Sequence, residues 1–137
     1  MTVQDPNVVA TTGAEPAAPT QRSGQIDITV RQVAEGVAVV AVAGEIDMVT
    51  APELRAGVLE HLESSTTFVL DLSGVSFLGS AGLAVLVEAS QHSRRRDAAF
   101  RVVAVKRAVI RPLEATGLGD VFSVHDSVDD ALAADAQ

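Results

Sequence analysis

One serine is placed where a hydroxyl could act on a substrate or on a partner protein. Ser80 lies in the run Gly79-Ser80-Ala81-Gly82, directly before a segment with helical periodicity. A nucleophile elbow has the pattern Gly-x-Ser-x-Gly, and Leu78 occupies the position of its first glycine. A catalytic triad also needs a histidine beside the serine. The three histidines are scattered along the chain, at His61, His92 and His125. The pattern therefore favours a binding role for Ser80 and predicts no catalytic residue. The enzymatic alternative is a minor hydrolase. A turnover activity that Ser80→Ala abolishes would support it.

Other site chemistries have little support in the sequence. The chain has no cysteine, which excludes disulfides, thiolate metal sites and a cysteine nucleophile. It lacks the Gly-x-x-x-x-Gly-Lys-Ser/Thr loop that cradles nucleotide phosphates, and its histidines lack metal-ligand spacing. Asp126, Asp129 and Asp130 are too few for a calcium loop. We therefore predict neither a cofactor nor a metal.

Composition and charge restrict the partners that can be expected. Hydrophobic residues make up 47% of the 137 residues, whereas aromatic residues make up only 3%, so one aliphatic core is expected. The formal net charge of -8 argues against nucleic acid and against direct contact with an anionic membrane, because both need clustered cations. No apolar run approaches the roughly 20 residues of a membrane helix. The N-terminus lacks the pattern of a signal peptide, so we expect a cytoplasmic protein.

The elements that must position Ser80 follow from periodicity. Residues 1–24 mix small, polar and proline residues without an apolar period, which predicts a disordered N-terminal tail. Residues 25–137 then form one domain. Apolar and polar residues alternate over 26–31, and a β-branched run covers 37–43, which predicts a β-hairpin. A helix follows, with Thr50 as its N-cap and Glu53 completing a capping box.

The rest of the chain alternates between strands and helices. Residues 68–72 predict a buried strand and residues 73–79 a loop, after which Ser80 opens a helix as its N-cap. Further strands and helices are predicted at 100–105, 106–115, 121–124 and from Ser127 onward. The order β-β-α-β-α-β-α-β-α predicts an α/β fold, in which about four helices pack on a mixed sheet of about five strands.

Two segments together resemble the STAS family, named after sulfate transporters and anti-sigma factor antagonists. One is Gly44-Glu45-Ile46-Asp47 with the nearby Thr50-Ala51-Pro52-Glu53-Leu54-Arg55. The other runs from Leu70 through Asp71-Leu72-Ser73-Gly74-Val75-Ser76-Phe77-Leu78-Gly79-Ser80-Ala81-Gly82 to Leu83. The resemblance covers about residues 25–135, and it implies a mixed sheet with helices on one face.

The resemblance also implies a mechanism. In the anti-sigma factor antagonist branch, the domain captures an anti-sigma factor, which is also a histidine-kinase-like Ser/Thr kinase, and so frees a sigma factor. The kinase then phosphorylates the antagonist at the start of the helix that Ser80 opens here, and capture is lost. A phosphate adds about -1.5 to -2 charges, which an interface built around a neutral hydroxyl would have to desolvate.

This sequence departs from the family pattern at the phosphorylation site. The usual run is Asp-Ser-Ser-Gly or Asp-Ser-Thr-Gly, with the second hydroxyl residue as acceptor. Here Gly79 replaces the acidic residue, Ser80 takes the first hydroxyl position, and Ala81 takes the acceptor position without an oxygen.

Three interpretations follow from that departure. The protein is an antagonist that is no longer switched at this site, or Ser80 has become the acceptor, or the domain belongs to another STAS branch. The Ser-Ala-Gly-Leu start also resembles STAS subunits of phospholipid-transporting ABC complexes, which dock on an ABC ATPase subunit. The Gly-Glu-Ile-Asp segment favours the antagonist branch. The predicted partner-binding residues are Asp47, Thr50, Gly79, Ser80, Ala81, Gly82 and Leu83.

Overall fold

The computed structural model describes residues 26–134, so the predicted tail lies outside the described residues. Five strands and four helices follow the predicted order. The strands are β1 (Ile26–Ala34), β2 (Val37–Ile46), β3 (Thr67–Leu78), β4 (Ala99–Val103) and β5 (Ser123–His125). The helices are α1 (Ala51–Leu62), α2 (Ser80–Arg95), α3 (Arg107–Thr116) and α4 (Val128–Ala133), with a 3-10 turn at Leu118–Asp120.

The strands form one mixed sheet in the order β1-β2-β3-β4-β5. β1 and β2 are the antiparallel hairpin, and its turn contains Gly36 at φ 75°. The pairs β2–β3, β3–β4 and β4–β5 are parallel. The predicted mixed sheet is therefore confirmed. Parallel pairing also brings the carboxyl ends of β2, β3 and β4 to the same edge, where each strand leads into a helix.

Helices cover both faces of the sheet, so the expectation of helices on one face is wrong. On one face, α1, α2 and α3 bury a large hydrophobic cluster with Val40 and Leu70. Side chains alternate along a strand, so the neighbouring Val39 and Val69 point to the other face, where they pack with Ala131 of α4. Arg101 is buried there and donates from Nη1 to the Ala131 carbonyl oxygen at 2.9 Å.

The predicted loop at 73–79 is wrong as well, because β3 continues to Leu78. Over this stretch β3 stays paired with β2, with Ala43 opposite Gly74 and Ile46 opposite Leu78, and the register shifts at two irregularities. A Cβ atom on Gly74 would lie 3.1 Å from the Ala43 Cβ atom, so the glycine permits a close approach of the strands. The strand extension carries the chain to the site described next.

Candidate functional site

The ends of β2 and β3 bring two distant segments side by side. Ile46 pairs with Leu78, and the backbone N–H of Gly79 donates to the Ile46 carbonyl oxygen at 2.9 Å. The turn between β2 and α1 therefore lies against the start of α2. Asp47 and Thr50, predicted from one segment, are thereby brought together with the predicted residues 79–83 of the other.

A network of hydrogen bonds fixes the turn between β2 and α1. The Asp47 Oδ1 atom accepts from the backbone N–H groups of Val49 at 2.9 Å and of Thr50 at 3.0 Å. The Thr50 Oγ1 atom accepts from the Asp47 backbone N–H at 2.9 Å and donates to the Glu45 carbonyl oxygen, also at 2.9 Å. The sequence Asp-x-x-Thr thus builds a closed turn from its own side chains.

The predicted capping box at Thr50 is wrong. Thr50 precedes α1 with helical dihedral angles, and its side chain makes no capping hydrogen bond to the helix. Its hydroxyl is used by Asp47 and Glu45 instead, and the residue is only 1% exposed. Thr50 therefore positions the turn and does not itself offer a contact surface.

Asp47 is ionised over the whole neutral range. The Thr50 backbone N–H, which donates to the carboxylate, holds the pKa of Asp47 below its usual value. A group whose pKa is lowered on folding stabilises the fold above its ordinary pKa and loses that effect as the pH falls through the lowered value. The turn is therefore expected to hold its shape at neutral pH and to loosen only in acid.

The Thr50 hydroxyl is expected to matter more than its methyl group. Thr50→Val keeps the side-chain shape but leaves the Asp47 N–H and the Glu45 carbonyl without this partner, so it should lower the free energy of unfolding by about 1–3 kcal/mol. Thr50→Ser keeps the hydroxyl and should cost about 0.8 kcal/mol for the lost methyl group. Urea denaturation of both variants tests this. A larger loss in the serine variant would show that packing dominates.

Ser80 is the first residue of α2 and not its N-cap, so the predicted capping role is wrong. Gly79 is the N-cap, with extended dihedral angles of φ -92° and ψ -179°, and no side chain caps the helix. Ser80 is exposed. Within residues 26–134 its hydroxyl has no hydrogen-bond partner. The hydroxyl is therefore available to a partner protein.

The next three residues anchor the helix start to the core. Ala81 and Leu83 are half-buried and pack against the main hydrophobic cluster. Gly82 is buried, and a Cβ atom there would lie 2.5 Å from Ile46 Cγ2 and 2.6 Å from Leu78 Cδ1. The glycine thus permits α2 to start directly on the paired strand ends.

Adding one methyl group at Gly82 is expected to destabilise the fold. The Ile46 Cγ2 atom sits next to the backbone in a closed core and cannot move away cheaply, so Gly82→Ala should cost about 1–3 kcal/mol. Gly57, inside α1, is the matched control, since a Cβ atom there would lie 3.5 Å from Ile28 Cδ1. Gly57→Ala should stabilise the fold by about 0.5–1 kcal/mol. Thermal denaturation compares the two, and a stabilised Gly82→Ala variant would contradict the packing argument.

An apolar patch next to Ser80 was missed in the sequence. Met48 is 80% exposed and Phe77 50% exposed, although both are large and apolar. They border a shallow depression of about 390 Å³. Its lining consists of Asp47, Met48, Phe77, Gly79, Ser80 and Ala81. We call Met48 and Phe77 the apolar patch. Exposed apolar groups beside a free hydroxyl are typical of a protein-binding surface.

The lining of the depression bears on the alternative of catalysis by Ser80. The depression is lined by no histidine and by a single carboxylate, that of Asp47. His61 is engaged elsewhere, since its Nδ1 atom lies 2.9 Å from the Gly57 carbonyl oxygen. Among residues 26–134, no group of three metal-ligating side chains comes together. Nor is any helix within that range long and apolar enough to cross a membrane.

Comparisons with known proteins agree on one family. The sequence profile of the STAS domain matches residues 29–131. The anti-sigma-F factor antagonist RsfB of Mycobacterium tuberculosis is 39% identical over 98 residues, which cover 71% of this chain and 80% of RsfB. The anti-sigma-F factor antagonist RsfA of the same species is 35% identical over 94 residues, covering 66% of this chain and 73% of RsfA.

A solved structure shows the same likeness in three dimensions. The crystal structure of an anti-sigma factor antagonist from Mycobacterium paratuberculosis superposes with a TM-score of 0.75 at 41% sequence identity. The alignment covers 80% of this chain and 93% of that one.

Proposed function

Because the chain belongs to the STAS domain family, we propose that it is an anti-sigma factor antagonist, which binds an anti-sigma factor and thereby frees a sigma factor. The observation that carries this proposal is its 39% identity to an anti-sigma-F factor antagonist over 71% of the chain. The relatives at 35–41% identity favour this branch over a subunit of a lipid-transporting ABC complex. In this proposal, the protein acts in the cytoplasm and regulates transcription by binding the anti-sigma factor, without catalysis.

The proposed binding surface is centred on the start of α2. Ser80 offers a free hydroxyl, and the apolar patch offers surface that a partner can remove from water. Burying a large apolar side chain fully contributes about 1.5–3 kcal/mol, so Met48 and Phe77 can supply much of the affinity. Asp47, Gly79, Ala81 and Leu83 complete or support this surface. Thr50 and Gly82 hold its shape from the interior.

The partner is proposed to be an anti-sigma factor of the histidine-kinase-like Ser/Thr kinase type. At the position where the family carries its phosphoacceptor, Ala81 has no oxygen to phosphorylate. We therefore propose that binding is constitutive, because phosphorylation at that position cannot switch it off. Ser80 is the remaining exposed hydroxyl in the depression. It is the second candidate acceptor, because a phosphate there would lie at the positive end of the α2 dipole.

The proposal is tested by isolating the partner. The tagged chain is used to capture proteins from a lysate of its native host, and bound proteins are identified by mass spectrometry. A small histidine-kinase-like ATPase is the expected partner, and it should bind the purified chain directly in calorimetry. Recovery of an ABC ATPase with its membrane permease, and no binding to the kinase, would contradict the proposal.

A further inference from the structure

Three basic side chains are concentrated at the start of α3. Lys106 precedes the helix, Arg107 is its first residue and Arg111 follows one turn later on the same side, and all three are exposed. Within residues 26–134 none of these three side chains has a hydrogen-bond or ion-pair partner. We call Lys106, Arg107 and Arg111 the basic patch. It stands out on a chain whose formal net charge is -8.

Most of the other basic side chains in the described residues form ion pairs or hydrogen bonds within the fold. Arg55 forms an ion pair with Glu88 at 2.6 Å. Arg96 donates to the Leu62 and Ser65 carbonyl oxygens, and Arg94 and Arg101 donate to other backbone carbonyls. The basic patch therefore has no comparable role within the described residues.

The position of the basic patch is unfavourable for the helix itself. The N-terminus of a helix carries partial positive charge, so cations at that end are repelled by the dipole. The first turn of α3 has no acidic residue, and no side chain caps it. A role in folding therefore does not explain why the cations are placed here, whereas an external acidic partner would.

The basic patch lies at the same sheet edge as Ser80. β4 is parallel to β3, so the link from Val103 to Lys106 emerges at the edge where β3 leads into α2. α3 then packs against β3 through the buried Val109 and Leu113. The opposite flank of this edge is acidic, with Glu45, Asp47 and Glu53. Along this edge the acidic residues of β2 and α1 therefore lie on one side of β3, and the basic patch lies on the other.

We propose that the basic patch of α3 is a second contact region of the binding surface and pairs with an acidic surface of the anti-sigma factor. The attraction between the two charged surfaces speeds the association of the two proteins and orients them. This inference rests on the proposed function. Complementary charges at the rim of an interface act mainly on the association rate and its salt dependence. A partner with matching acidic and basic regions would fit in one orientation only.

A protein partner is favoured over a polyanion. Only three cations are grouped here, and the rest of the chain is acidic, so an extended phosphate backbone or a charged lipid surface would be repelled by the surrounding field. A folded partner can instead place acidic side chains over the basic patch alone.

The test measures association rates between the full chain and the purified anti-sigma factor over a range of salt concentrations. The variant is Arg107→Glu with Arg111→Glu. The control is Arg31→Glu with Arg95→Glu, which changes the net charge equally at exposed positions outside this edge. The basic-patch variant is expected to associate roughly tenfold more slowly at low salt and to lose most of the salt dependence. The control should stay near the wild-type rate.

Several outcomes would overturn the inference. Equal slowing of both variants would show an effect of net charge alone, and no slowing of either would show that the basic patch is not used. In a further outcome, the wild type sediments with phosphatidylglycerol vesicles and the basic-patch variant does not, while both associate with the anti-sigma factor at the same rate. That result would assign the basic patch to lipid binding. A wild-type chain that never binds the anti-sigma factor would instead overturn the proposed function, and this inference with it.

Discussion

Replacing Met48 and Phe77 together by alanine is expected to weaken binding to the anti-sigma factor by about 30-fold or more. Both side chains border the depression that contains Ser80, and both are largely exposed in the free chain. Apolar anchors at the centre of an interface commonly contribute about 2 kcal/mol or more, which corresponds to that loss of affinity. Because neither side chain is buried in the core, the variant should fold normally. Calorimetric titration measures the effect.

The matched control for the apolar patch lies on β1. Val30 and Val33 are 38% and 37% exposed, but Val30 lies opposite Val40 in the middle of β2, and Val33 lies near the hairpin turn, at the end of β2 away from Met48. Replacing both by alanine should leave the affinity unchanged. If the two double variants lose affinity equally, or if the Met48 and Phe77 variant binds like the wild type, then the apolar patch is not the centre of the binding surface.

Ala81→Ser is expected to restore a phosphorylation switch. Residue 81 is the second residue of α2 and lines the depression, so a hydroxyl introduced there would be presented beside Ser80. Phosphorylation would add about -1.5 to -2 charges to a surface that is apolar and acidic. The phosphorylated variant should therefore bind about 100-fold or more weakly, since each 1.4 kcal/mol of repulsion and desolvation is a factor of ten.

Two further variants separate the possible acceptors. The experiment incubates each protein with the kinase and ATP, locates the phosphate by mass spectrometry, and then measures binding. Ser80→Ala should bind without any phosphorylation in this segment, and Ser80→Ala combined with Ala81→Ser should still be switched. Full binding after complete phosphorylation at position 81 would contradict the repulsion mechanism. Phosphorylation of the wild type that Ser80→Ala removes would show that Ser80 is the acceptor.

The order of the elements could be predicted because local patterns determine it. The alternation in β1, the β-branched run of β2 and the stripe of Leu54, Val58 and Leu62 each match one periodicity. The helix from Ser127 onward was also predicted from local residue types, and Ser127 caps it, since its Oγ atom accepts from the Asp130 N–H at 3.0 Å. The long apolar run of β2 also contained a signal for burial on both faces, but the resemblance favoured helices on one face.

Features that depend on contacts between one element and another could not be predicted from the sequence. Thr50 has the residue type of an N-cap, yet its hydroxyl is taken by the Glu45 carbonyl oxygen of the preceding strand. Residues 73–78 contain serine and glycine, yet they extend β3 because β2 is there to pair with them. The apolar patch joins residues 29 positions apart in the sequence, and only the pairing of Ile46 with Leu78 brings them together.

The most direct test of the central claim is sigma-factor release in a purified system. The anti-sigma factor is first bound to its sigma factor, the full chain is added, and transcription from a promoter that depends on this sigma factor is measured with core RNA polymerase. We expect transcription to rise with the amount of the chain and to reach the level seen without anti-sigma factor, whereas the Met48 and Phe77 double variant should need far higher concentrations. Transcription that stays inhibited at a large excess of the wild-type chain would contradict the account.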